Sequence, residues 1–109
     1  MKKFSILYSD ESVADLESIY CYIAFHLMER KTAWELTVRI RKDIRGLARH
    51  PEMCERVDWE PWYSMGVRKM PVKNFIVYYL PDKDAQTVKI VRIFYGGRDV
   101  EHIIGEEKE

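Results

Sequence analysis

Asn74-Phe75-Ile76-Val77-Tyr78-Tyr79-Leu80-Pro81-Asp82-Lys83-Asp84-Ala85-Gln86-Thr87-Val88-Lys89-Ile90-Val91-Arg92-Ile93-Phe94-Tyr95 is the stretch that decides the architecture. Its first third, Asn74 to Leu80, is aromatic and β-branched, a composition that suits a pleated, half-buried strand. Its last third, Thr87 to Tyr95, alternates Val88, Ile90, Arg92 and Phe94 against Lys89, Val91, Ile93 and Tyr95. That period of two is a strand signal. Pro81-Asp82-Lys83-Asp84 supplies the turn between them. Upstream, Val67 to Val72 is a third strand candidate, and downstream Gly96-Gly97 ends the sheet. Arg98 to Ile104 then reads as a short helix or a packed tail, and residues 105–109 as a frayed end.

Toward the N-terminus, Phe4, Ile6 and Tyr8 share one face of a short strand. Ser9 offers an N-cap, with Asp10 and Glu11 placed for the helix dipole. Val13, Leu16, Ile19, Tyr20, Ile23 and Leu27 recur at spacings of three and four, which predicts an amphipathic helix over about residues 10–29. Thr32-Ala33-Trp34-Glu35 has the form of a capping box, so a second helix is expected to restart there. Leu36, Ile40, Ile44 and Leu47 carry its apolar face to about His50, and Pro51 is expected to stop it. The short link makes an antiparallel helical hairpin the natural packing. Residues 51–66 have no period and read as an ordered loop rich in Pro, Trp and Gly.

The order is therefore β-α-α-β-β-β, an α+β domain. One antiparallel sheet is expected, with the N-terminal helical hairpin on one face. The 109 residues, 47% of them apolar and 13% aromatic, suit a single domain over residues 1–104 followed by the short tail. Acids and bases balance at 18 each, so nucleic-acid binding by bulk charge is disfavoured and would need local patches. Cys21 and Cys54 lack a metal-ligand spacing and read as free thiols in a reducing cytoplasm. No apolar run is long enough for a membrane span or a signal-peptide core. No metal or cofactor motif is present, and neither is expected.

Several strings in order resemble the RelE/ParE superfamily of toxins from type II toxin–antitoxin modules, the plasmid-stabilisation type. Tyr8-Ser9-Asp10-Glu11 leading into residues 14–20 resembles its first strand and entry to helix one. Residues 66–72 followed by 74–79 resemble its central hairpin, and residues 91–99, with Arg98-Asp99, its terminal strand. The resemblance implies a growth-inhibiting toxin neutralised by a cognate antitoxin, with a target that differs by branch. One branch (RelE and YoeB) cleaves mRNA on the ribosome, and the other (ParE) poisons DNA gyrase.

RNA cleavage requires an activated 2′-OH, a neutralised phosphate and a protonated leaving oxygen. The resemblance makes Arg68, Lys69, Arg92, Tyr95 and Arg98 the catalytic candidates for that chemistry. Lys73 and His102 lie near the same strands. Against it, Ile76 stands where the nuclease branch typically has an arginine, and an isoleucine cannot stabilise a phosphorane. Gyrase inhibition is therefore the preferred expectation, and an mRNA endonuclease the alternative. A degenerate toxin is a third possibility.

Each candidate also has a structural reading. Arg68 and Arg98 can pair with nearby acids. His26 and His50 sit near helix C-termini, where an imidazole serves the dipole. Tyr78 and Tyr79 point to opposite faces, so only one can meet a partner. Arg39, Arg41, Lys42, Arg45 and Arg49 form the strongest basic patch, spread around the second helix, and could meet an acidic antitoxin segment or the target. Trp59 and Trp62 are expected to close over the sheet edge and the helices. Exposed, they and Tyr78 would anchor a partner. The antitoxin interface is expected on the exposed side of helix one and at the Trp59–Trp62 loop.

Overall fold

A four-stranded sheet of order β1-β4-β3-β2 organises the chain. The computed structural model describes residues 3–107; residues 108 and 109, part of the expected frayed tail, lie outside them. Strand β1 spans Ser5–Tyr8, β2 Arg68–Val72, β3 Phe75–Asp82 and β4 Thr87–Tyr95. The three C-terminal strands form the expected antiparallel meander, with β3 running on through Pro81 and Asp82 before the turn. Strand β1, however, pairs with β4 in parallel, Ser5 opposite Thr87 and Tyr8 opposite Ile90. The sheet is therefore mixed. The helical hairpin returns the chain to the sheet by way of β2, which leaves β1 the free edge of β4.

Helix α1 (Asp10–Cys21) starts where the sequence predicts, because the Ser9 hydroxyl accepts the Ser12 amide at 3.0 Å. It does not continue regularly to residue 29. From Tyr22 to His26 it widens into a π-turn, closed by the Leu27 amide on the Tyr22 carbonyl at 3.0 Å. Met28 then breaks the helix with φ 58. Helix α2 (Arg30–Gly46) consequently begins at Arg30, not at Thr32. Its cap, Glu29, makes no side-chain hydrogen bond, so the capping box does not form. The helix also ends before Pro51: the amides of Leu47, Ala48 and Arg49 turn back onto the carbonyls of residues 44–46. That tightening satisfies the last carbonyls without any role for the proline.

Two cores flank the sheet. Leu16, Ile40, Ile44 and Leu47 from the hairpin meet Met70, Val72, Val77, Tyr79, Val88, Ile90 and Ile93 on one face. On the other face Tyr78 and Phe94 meet Val57, Trp62, Val67, Val100 and Ile104. This second core is closed by α3 (Trp62–Met65) and α4 (Val100–Glu107). Trp59 and Trp62 therefore cover the sheet face opposite the hairpin, not the hairpin itself. Gly66 ends α3 at φ 91, a left-handed value that favours glycine.

A bulge in β4 sets which residues share a face. Tyr78 pairs with Arg92, but Tyr79 pairs with Ile90, leaving Val91 as an extra residue. The simple alternation read from sequence therefore fails midway. Ile90 and Ile93, three apart, both enter the first core, whereas Arg92 turns to the second face beside Tyr78. Ser9 holds the bulge as well as the helix, since its hydroxyl donates to the Val91 carbonyl at 2.8 Å.

Candidate functional site

The C-terminal half of α1, the end of β4 and α4 enclose a groove of about 600 Å³. Its apolar lining comes from Ile19, Tyr22 and Ile23 on α1 and the π-turn, Phe75 and Tyr95 on the sheet, and Ile103 on α4. The π-turn re-aims Tyr22, which stacks on His26 at 4.9 Å and stays half exposed. Tyr95 is likewise half exposed, edge-on to Phe75 at 5.8 Å.

Three charged residues line the same groove: Asp15, Arg92 and Arg98. Asp15 Oδ2 accepts from Arg92 Nε and from the Ile93 amide, both at 2.9 Å, and Oδ1 accepts from Arg92 Nη2 at 3.1 Å. Both side chains are only 14% exposed. This is a planar, two-pronged pair of the kind that gives arginine its specificity for carboxylates. It satisfies the β4 edge where β1 has ended and α1 passes alongside. The Arg92 guanidinium also lies over the Phe94 ring, 4.4 Å from its centre, and Arg98 lies over the same ring at 5.5 Å.

The structure brings Arg92, Tyr95 and Arg98 to one groove, but not the other sequence candidates. Arg68 is at the opposite edge of the sheet, donating to the Cys54 carbonyl at 2.6 Å and lying 3.6 Å from Glu52. Lys69, one residue on, points to the other face and lies 3.8 Å from Glu55. Lys73 occupies the β2–β3 turn at φ 56, exposed. His102 is exposed on α4, its amide bonded to Asp99 Oδ1. Trp62 and Tyr78, considered as partner anchors, are buried, so neither presents a surface. Trp59 stacks on Trp62 at 4.8 Å and packs against the second core.

Burial raises the Tyr78 hydroxyl above its ordinary range. Tyr79 is pushed up further, first by burial and then by the Cys54 thiol beside it; its buried hydroxyl has no well-formed hydrogen bond. Tyr8 is also raised by burial, against the opposing charges of Arg41 and Arg45. These phenols are therefore poor proton donors for chemistry at neutral pH. Among the described residues no group of acids, histidines and cysteines could hold a metal.

Sequence reasoning missed Asp15 and the π-turn. An acid flanking the apolar stripe of α1, together with an arginine inside a strand, was the available signal for the ion pair. Nothing local marks the π-turn.

The mixed sheet with a helical hairpin on one face and a short C-terminal helix on the other is a fold of toxin–antitoxin toxins. Over 85% of this chain and 96% of the other, it superposes on a chain of the chromosomal ParDE TA system from P. aeruginosa, with TM-score 0.69 and 20% identity. The toxin–antitoxin complex RelBE2 from Mycobacterium tuberculosis matches with TM-score 0.64 and 16% identity, over 87% and 93% of the two chains. A mutant E. coli RelE in the free state matches with TM-score 0.63 and 6% identity, over 97% of each. None of the curated proteins matches in sequence. The family model for the ParE toxin of the parDE type II toxin–antitoxin system matches residues 6–100. The chain belongs to that family, and it is a type II toxin.

Proposed function

We propose that this toxin acts by surface contacts on DNA gyrase and is restrained by a cognate antitoxin. The observation that carries the gyrase reading is the dispersal of the groups that RNA cleavage would need. Arg68 and Lys69 lie at the far sheet edge, tied to Glu52 and Glu55. Arg92 is committed to Asp15. Ile76, where the nuclease branch has an arginine, packs against the second core. The ParE family match points to the same branch. Among the described residues no helix is long and apolar enough to cross a membrane, and the cytoplasm is the compartment this reading requires.

The antitoxin is assigned to the groove beside α1. Its apolar walls and half-exposed Tyr22 and Tyr95 suit one face of an amphipathic helix. This keeps the expected use of α1 and drops Trp62, which is buried. The ribonuclease reading retains one support, since Arg92, Tyr95 and Arg98 share that groove.

Induced expression without antitoxin distinguishes the two, with growth, mRNA ends and chromosomal breaks read together. DNA breaks with intact mRNA are the expected outcome. Codon-phased mRNA cuts with intact DNA would overturn the gyrase reading.

A further inference from the structure

Between Leu36 and His50 the chain carries Arg39, Arg41, Lys42, Arg45 and Arg49 against one acid, Asp43. Read along the sequence these cations spread around the helix, but the structure sorts them. Arg39 pairs with Asp43 at 3.2 Å and leaves the set. At about 100° per residue, with Ala33, Ile40 and Ile44 facing the core, Arg41, Lys42 and Arg45 fall within an arc of about 100° on the solvent side of α2, and Arg49 follows in the tightened turn past Gly46. All four are exposed. Among the described residues none has a carboxylate at ion-pair distance, whereas Arg68, Lys69, Lys83 and Arg92 each do. Arg41 instead lies over the Tyr8 ring at 5.6 Å.

We infer that this row is a contact surface for the phosphate backbone of duplex DNA. The inference deepens the gyrase reading and takes its setting from it, the DNA being the segment on which gyrase works. Arg41 and Arg45 are four residues apart, so they step along α2 by roughly 6 Å, and Arg49 lies four residues further on, past the helix end at Gly46. Duplex DNA presents an unbroken line of charge, about one per 1.7 Å of axis, so such a row finds phosphates in any register. Guanidinium forks grip phosphate oxygens in pairs and never lose their proton. The exposed positions from 41 to 49 are Arg41, Lys42, Arg45, Gly46 and Arg49, none of them apolar. The exposed Trp34 and Val38 share the arc earlier in α2, so an acidic peptide with an apolar anchor is the competing occupant, which the antitoxin affinity of the double variant below tests. Gly46 has open space around it and lets a backbone approach. The Phe4 amide donates to the Ala48 carbonyl at 2.8 Å, which brings the exposed Lys3 to the same end of α2. The row flanks the α1–α2 cleft lined by Leu16, Tyr20, Trp34 and Arg41, on the other side of α1 from the groove assigned to the antitoxin.

The test is fluorescence anisotropy of the purified toxin with a labelled 30-base-pair duplex between 50 and 200 mM salt. Four phosphate contacts give a log–log slope of about −3.6, or about 150-fold weaker binding across that range. Arg45→Gln with Arg49→Gln should reduce the slope to about −1.8 while antitoxin affinity stays unchanged. Arg39→Gln, outside the row, should leave the slope alone. Absence of duplex binding at 50 mM salt overturns the inference. So does equal or tighter binding of single-stranded RNA, or a loss of antitoxin affinity in the double variant. Duplex binding without gyrase-dependent breaks retains the row and refutes only the gyrase setting.

Discussion

Arg92→Ala separates a structural arginine from a catalytic one. The side chain makes two charge-assisted hydrogen bonds to Asp15, and both partners are 14% exposed. Removing it leaves a largely buried carboxylate that still accepts from the Ile93 amide. Breaking a buried pair from one side costs about 3–5 kcal/mol, and the residual exposure places this one near 3. For a chain of this size that is a fall in Tm of roughly 12–20 °C. Replacing both partners, Asp15→Leu with Arg92→Met, should recover most of the loss, because no unpaired charge remains. Chemical denaturation of the wild type, both single variants and the double variant gives the coupling energy, expected at about 2 kcal/mol. Under the gyrase reading the folded double variant also keeps its toxicity. A stability loss below about 0.5 kcal/mol for Arg92→Ala, or additive single effects, would refute the reasoning.

Three further perturbations test other parts of the fold. Ser9→Ala removes both the cap on Ser12 and the bond to the bulge carbonyl of Val91, and should cost about 1–2 kcal/mol by denaturant titration. Trp62→Ala empties the second core and should cost about 3–5 kcal/mol; near-native stability would mean that this face is not a core. Tyr79 has a raised pKa in the fold, so above about pH 10 the unfolded chain loses this proton first and stability falls as pH rises. Tyr79→Phe should make that alkaline fall shallower, and should change stability at pH 7 by less than about 1 kcal/mol, because the buried hydroxyl lacks a good partner. An unchanged alkaline slope in the variant would contradict this assignment.

The element order and the start of α1 were legible from the residues alone, because both rest on local physics. The Ser9 cap acts within one turn, and the apolar spacing of α2 and the two-residue period of β4 are properties of single segments. Strand β4 occupies the span that its alternation predicts. The resemblance to the toxin superfamily was carried by the same short strings, and the family match over residues 6–100 agrees with it.

The candidate site was only partly legible. Arg92, Tyr95 and Arg98 are neighbours in sequence and stay neighbours in space, whereas Arg68 and Lys69 join no site with them, since β3 intervenes. The arc of cations on α2 was hidden because its odd member, Arg39, is identified only by its pairing with Asp43.

What tertiary structure decided are the features that depend on two distant segments meeting. The bulge at Val91 is invisible in an alternating pattern, because one inserted residue reverses every face beyond it; it is held by Ser9, 82 residues away. The Asp15–Arg92 pair spans 77 residues. Trp62 reads as a loop aromatic until α4 and the second sheet face enclose it. Periodicity reports which side of a segment is apolar. Only packing reports what that side meets, because burial is a property of the pair of surfaces and not of either one.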